Sequence, residues 1–157
     1  MLIGIYSPNS GYGKTTIANH LALNHDFVKM SFATPIKGML KVFLQHLGYT
    51  EEDACSALVN KTADVQGITP PIDTRHLLRT LGTEWGRDCV HPEVWLTCWR
   101  TRYKQLTESG VTRIVVDDMR FPNEAQLISR CGGQLWQVQR TNPEQPQQAT
   151  HRSEGGL

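Results

Sequence analysis

The apolar run Leu2-Ile3-Gly4-Ile5-Tyr6 leads within a few residues into Gly11-Tyr12-Gly13-Lys14-Thr15-Thr16. No other feature restricts the possible folds as strongly. A buried strand that enters a glycine-rich turn and leaves it as a helix aims backbone N–H groups inward. With the helix N-terminus they cradle a polyphosphate. In such a turn Lys14 reaches the outer phosphates and the Thr15 hydroxyl can ligate magnesium. The full pattern has glycine five places before Gly13, where this chain has Pro8, which fixes φ and lacks an N–H. The competing interpretation is an ordinary strand-to-helix turn. The strand before and the amphipathic helix after it favour the phosphate loop.

A chain of 157 residues suits one domain and buries roughly two-thirds of its unfolded surface. The formal net charge of +1 gives no strong field toward a nucleic acid polymer or a membrane. Ten of the sixteen basic residues are arginine, a bias that suits bidentate contact with phosphate or carboxylate. Cys55, Cys89, Cys98 and Cys131 show no metal-type spacing, so buried reduced thiols in a cytosolic protein are expected. No apolar run approaches the length of a membrane span, and the N-terminus lacks a signal-peptide pattern.

Periodicity predicts strands at 2–6, 27–32, 114–116 and 134–140, and helices at 14–24, 34–47, 51–59, about 73–81, 92–107 and 122–130. Thr34 is the expected cap of its helix, with Pro35 at the first helical position. The apolar residues Ile36, Met39, Leu40, Phe43, Leu44 and Leu47 follow on helical spacing. Thr50 opens a capping box, Asp73 caps the next helix and Gly82 is expected to stop it. The tail from Thr141 is rich in Pro, Gln and Gly and is expected to be mobile. This order predicts a doubly wound, mostly parallel sheet in an α/β fold. Between strands two and three lies a helical insert of about 75 residues, expected to overhang the phosphate loop.

Asp117-Asp118 follows the short apolar strand Ile114-Val115-Val116. A carboxylate at the carboxyl end of a parallel strand neighbouring the first can hold magnesium or its water. The alternative is a pair of acids capping the next turn. Arg120 lies two residues on and could clamp an anionic substrate, against a surface salt bridge to Glu124 one turn later. Arg79, Glu84, Trp85 and Arg87 flank two glycines, which suggests a compact bend presenting guanidinium groups beside an aromatic face. Spacing alone leaves this level with a core tryptophan and solvated arginines. The stripe Trp95, Trp99, Tyr103 is expected to be packing. The six histidines show no zinc spacing.

Phe32-Ala33-Thr34-Pro35-Ile36-Lys37, Arg79-Thr80-Leu81-Gly82-Thr83-Glu84-Trp85-Gly86-Arg87 and Val116-Asp117-Asp118-Met119-Arg120-Phe121-Pro122-Asn123-Glu124 resemble, in order and spacing, the signature blocks of phage-type deoxynucleoside monophosphate kinases. His151-Arg152-Ser153-Glu154 resembles the His-x-Ser-Glu block late in that family. The resemblance implies a P-loop NTPase-like three-layer α/β/α fold. Its core would be 1–33 and 111–140, its helical insert about 34–110, and its lid and tail 141–157. It implies transfer of the ATP γ-phosphoryl group to a dNMP, giving dNDP and ADP. Ser10, Gly11, Tyr12, Gly13, Lys14, Thr15, Thr16 and Arg152 would bind ATP. Thr15 and Asp117 would hold Mg2+. Phe32, Lys37, Arg79, Trp85, Arg87, Asp118, Arg120, Glu124 and Arg140 would bind the deoxynucleotide, with Lys14, Asp118 and Arg120 catalytic.

The family continues past His-x-Ser-Glu into a further strand and helix, whereas this chain ends at Leu157. Four recognisable strands are therefore expected, with an uncovered edge that admits self-association as a homodimer. The implied setting is a bacterial cytoplasm, with the protein phage- or prophage-encoded. Two other functions remain open from the residues. One is a P-loop kinase with another acceptor, such as dephospho-coenzyme A. The other is a non-catalytic nucleotide-binding module.

Overall fold

The computed structural model describes residues 1–8 and 11–139. The chain forms two compact units, Met1–Phe32 with Leu96 onward, and Ala33–Trp95.

The first unit carries a four-stranded sheet: β1 (Leu2–Tyr6), β2 (Val28–Lys29), β3 (Ile114–Val116) and β4 (Gln134–Gln137). Their order is β2-β3-β1-β4 and every pairing is parallel. Helix α1 (Lys14–Asn24) covers one face, where Ala18 and Leu21 pack with Ile3, Ile5, Phe27 and Val115. Two further helices, α5 (Val94–Glu108) and α6 (Pro122–Arg130), supply Leu96, Trp99, Leu127 and Ile128 to the opposite face. There they meet Leu2, Met30, Ile114 and Val116. This is the expected three-layer α/β/α arrangement. The central strands β1 and β3 are apolar almost throughout because both their faces are covered.

Strand β2 is shorter than the predicted 27–32. Its partner β3 has only three residues, so the ladder ends with Met30 N–H donating to the Val115 carbonyl at 2.9 Å. Burial still alternates as expected, with Phe27 toward α1 and Met30 and Phe32 toward α5 and α6. Strand β4 also stops early, at Gln137, although Val138 N–H still donates to the Tyr6 carbonyl at 2.8 Å. All four of its residues are exposed. The aromatic stripe is packing, as predicted. Trp99 stacks on Phe32 at 5.4 Å and on Tyr103 at 5.0 Å between ring centroids.

The second unit is helical: α2 (Thr34–His46), α3 (Glu51–Val59), α4 (Thr74–Thr80) and a π-helix (Leu81–Val90). Ala33, not Thr34, occupies the cap of α2. Its backbone is already close to helical and its carbonyl accepts from Lys37 N–H at 2.9 Å. Only Ile36, Leu40 and Leu44 of the apolar spacing are buried, while Met39, Phe43 and Leu47 are exposed. Thr50 Oγ1 caps α3 by accepting from Asp53 N–H at 3.1 Å, and Asp73 caps α4 through His76 N–H at 2.7 Å.

Gly82 does not stop α4, because the chain runs on as the π-helix. The Trp95 indole N–H donates to the Gly82 carbonyl at 2.6 Å, and a Cβ on Gly86 would lie 2.3 Å from the Trp95 ring. The indole lies so close to the helix backbone that only glycine fits at Gly86. The bend anticipated around Trp85 is therefore a wide helical turn. Such turns are rare and recur at functional sites.

The four cysteines are free thiols, and Cys55, Cys89 and Cys98 are exposed, contrary to the expected burial. All three occupy outward positions on helices. Among the described residues no helix is long and apolar enough to cross a membrane.

Candidate functional site

In the first unit the buried Ser7 follows β1, and the described chain resumes at Gly11. Gly11 and Gly13 take φ of +79° and +90°, a left-handed conformation that favours glycine. Helix α1 starts at Lys14, and Ile17 N–H donates to the Gly13 carbonyl at 3.1 Å. Thr15 and Thr16 stand exposed in the first turn, where helical amides have no intrahelical acceptor and the dipole is positive. Lys14 Nζ folds back to donate to Ser7 Oγ at 2.5 Å. Burial lowers the Lys14 pKa below its usual value, and the nearby Arg120 charge lowers it further. The Asp117 carboxylate acts in the opposite direction. Lys14 and Arg120 repel one another here, an arrangement that favours an anion between them.

The two aspartates after β3 divide by strand parity. Val115 faces α1, so Asp117, two residues on, continues that face. It is buried, and Lys29 Nζ lies 3.5 Å from its Oδ2. Asp118 serves a different neighbour, with Oδ1 accepting from Phe32 N–H at 3.0 Å. Between Asp118 and Arg120 the buried Met119 anchors the loop beneath β1. It fits because a Cβ on Gly4 would come within 2.7 Å of its Sδ and Cε.

Arg120 is exposed, and its backbone N–H donates to Glu124 Oε2 at 2.7 Å. The same oxygen accepts from Phe121 N–H at 3.1 Å, so the buried Glu124 carboxylate caps α6. The Phe32 side chain is core. The structure thus brings Lys14, Asp117 and Arg120 together, with Thr15 on the same helix turn as Lys14, and gives Phe32 and Glu124 supporting positions.

The second unit holds Lys37 in the first turn of α2 and Arg79 on α4. Arg79 Nε is buried with no hydrogen-bond partner among the described residues. Arg87, on the π-helix, is buried and donates from Nη1 to the Pro92 carbonyl at 3.0 Å. Trp85 is 44% exposed, its ring 6.3 Å from that of Trp95. Ser10, Arg140 and Arg152 lie outside the described residues.

Sequence reasoning missed Lys29. Its pairing with Asp117 depends on β2 lying next to β3, and no local pattern announces that neighbour.

A profile described as deoxynucleotide monophosphate kinase matches residues 49–157. A putative deoxynucleotide monophosphate kinase of Acanthamoeba polyphaga mimivirus is 32% identical over 168 residues, covering 98% of this chain and 80% of the relative. The deoxynucleoside-5′-monophosphate kinase of Escherichia phage T5 is 35% identical over 57 residues, covering 36% of this chain and 22% of the relative.

Proposed function

The chain belongs to the deoxynucleotide monophosphate kinase family, and we propose that it transfers the γ-phosphoryl group of ATP to the 5′-phosphate of a deoxynucleoside monophosphate, with Mg2+ bound. A dephospho-coenzyme A kinase is not favoured by this family membership. The observation that carries the reading is that the glycine-rich turn with Lys14 follows β1, while Asp117 and Arg120 follow the neighbouring parallel strand β3, so both segments leave the same carboxyl end of the sheet. Ligands of open α/β sheets bind at such ends.

Glycine-turn and helix amides receive the triphosphate, and Lys14 exchanges its Ser7 hydrogen bond for phosphate oxygens. The Thr15 hydroxyl and the Asp117 carboxylate are hard oxygen donors that suit magnesium. The metal supplies neutralisation of charge on the transferring phosphates. Arg120 holds the acceptor phosphate. The bond between γ-phosphorus and the β–γ bridging oxygen breaks as a 5′-phosphate oxygen bonds to phosphorus, giving ADP and a dNDP. No protein nucleophile is required, because positioning and electrostatics do most of the work in phosphoryl transfer.

A coupled ADP-release assay across the four dNMPs, with and without magnesium, tests this reading. ADP formation is expected to require both an added dNMP and the metal. Lys14→Ala is expected to lower the rate by about 10²–10³-fold, the scale of losing one preorganised charge-stabilising group. A parental rate from that variant would remove Lys14 from the mechanism.

A further inference from the structure

Asp117 is a buried carboxylate, and burial of an ion requires a partner. Its partner is Lys29, on the edge strand β2, with Nζ 3.5 Å from Asp117 Oδ2. A lysine on an edge strand is ordinarily a solvated residue that discourages strand pairing. Lys29 has a second fixed contact, however, donating to Asn19 Oδ1 on α1 at 2.7 Å. One ammonium group therefore joins three elements: the helix whose first turn bears Lys14 and Thr15, the edge strand, and the end of β3. An ammonium has three donors, enough to hold both oxygens at once.

We propose that Lys29 is a positioning residue for phosphoryl transfer, fixing the Asp117 carboxylate beside the phosphate-loop helix through its joint hold on Asp117 and Asn19. This rests on the site proposed above. Lys29 engages Oδ2 of the carboxylate that would hold the metal. Without Lys29 the carboxylate loses the cation 3.5 Å from its Oδ2 and the contact that fixes its rotamer. A freed side chain must be ordered again each time the metal binds, which costs a factor of about threefold or more.

The test compares Lys29→Met, Lys29→Arg and Asp117→Asn with the parent. Lys29→Met is expected to raise the magnesium concentration giving half-maximal activity by about threefold or more, on the same ordering argument, with the KM for the dNMP nearly unchanged. A second readout needs no turnover: the extra thermal stabilisation that magnesium adds to ATP binding when no acceptor is present. Lys29→Met should lose that increment, and Lys29→Arg, which keeps the charge, should restore most of it. A merely structural role would lower the melting temperature and leave both metal readouts parental.

That last outcome, or a fall in the magnesium requirement, overturns the proposal provided Asp117→Asn is impaired in both. Parental behaviour of Asp117→Asn would instead overturn the site reading itself. If Lys29→Met fails to fold, Lys29→Gln is judged by the same criteria.

Discussion

Lys14 holds its charge at a cost in the ligand-free protein. Burial lowers its pKa, Arg120 adds repulsion, and Asp117 offsets only part of this. Between the lowered folded value and the unfolded value of 10.5 the native state binds fewer protons than the unfolded state, so stability rises with pH across that window. Below the window the penalty is complete, and above it the penalty vanishes. Lys14→Met keeps the stem and removes the charge. It is expected to melt higher than the parent at pH 7 and to lose that advantage by about pH 10.5, the ordinary lysine pKa. An equal melting difference at both pH values would contradict this assignment. The same neighbourhood shows what one residue's identity conveys. Asp117-Asp118 announced a carboxylate at a strand end, but the pair is symmetric in sequence. Only the faces of the sheet send Asp117 toward Lys14 and Asp118 to the Phe32 amide.

At the scale of elements, caps and breakers acted locally where nothing competed and failed where packing did. Thr50 and Asp73 cap their helices as their side-chain oxygens dictate. Gly82 was expected to end a helix, yet a tryptophan thirteen residues later bonds its carbonyl and the helix widens instead. Gly86→Ala would drive a methyl group into the Trp95 ring, 2.3 Å from the nearest atom. It is expected to destabilise by about 1–3 kcal/mol, the usual cost of overpacking, read as a lower midpoint in denaturant unfolding. Thr50→Ala removes an exposed cap and should cost about 1 kcal/mol without altering nucleotide affinity. A Gly86→Ala midpoint equal to the parental one would mean that the indole has room to retreat.

Across the whole molecule, stability should follow cover. Strands β1 and β3 are enclosed by helices on both faces, whereas β4 is exposed throughout. Native-state hydrogen exchange is expected to be slowest at Ile3, Ile5 and Val115 and fastest, among the strands, at the β4 amides. Protection in β4 equal to that in β1 would show that something covers this edge in solution. The amino-acid sequence by itself determined most of the elements, the parallel α/β class and the glycine-rich turn between β1 and α1. Those follow from hydrophobic period, glycine stereochemistry and helix dipoles, all acting over a few residues. The tertiary structure alone decided which aspartate meets Lys14, that Lys29 holds it, and that Gly82 lies inside a helix. Each of these depends on a partner distant in the chain, and local patterns carry no record of who that partner is.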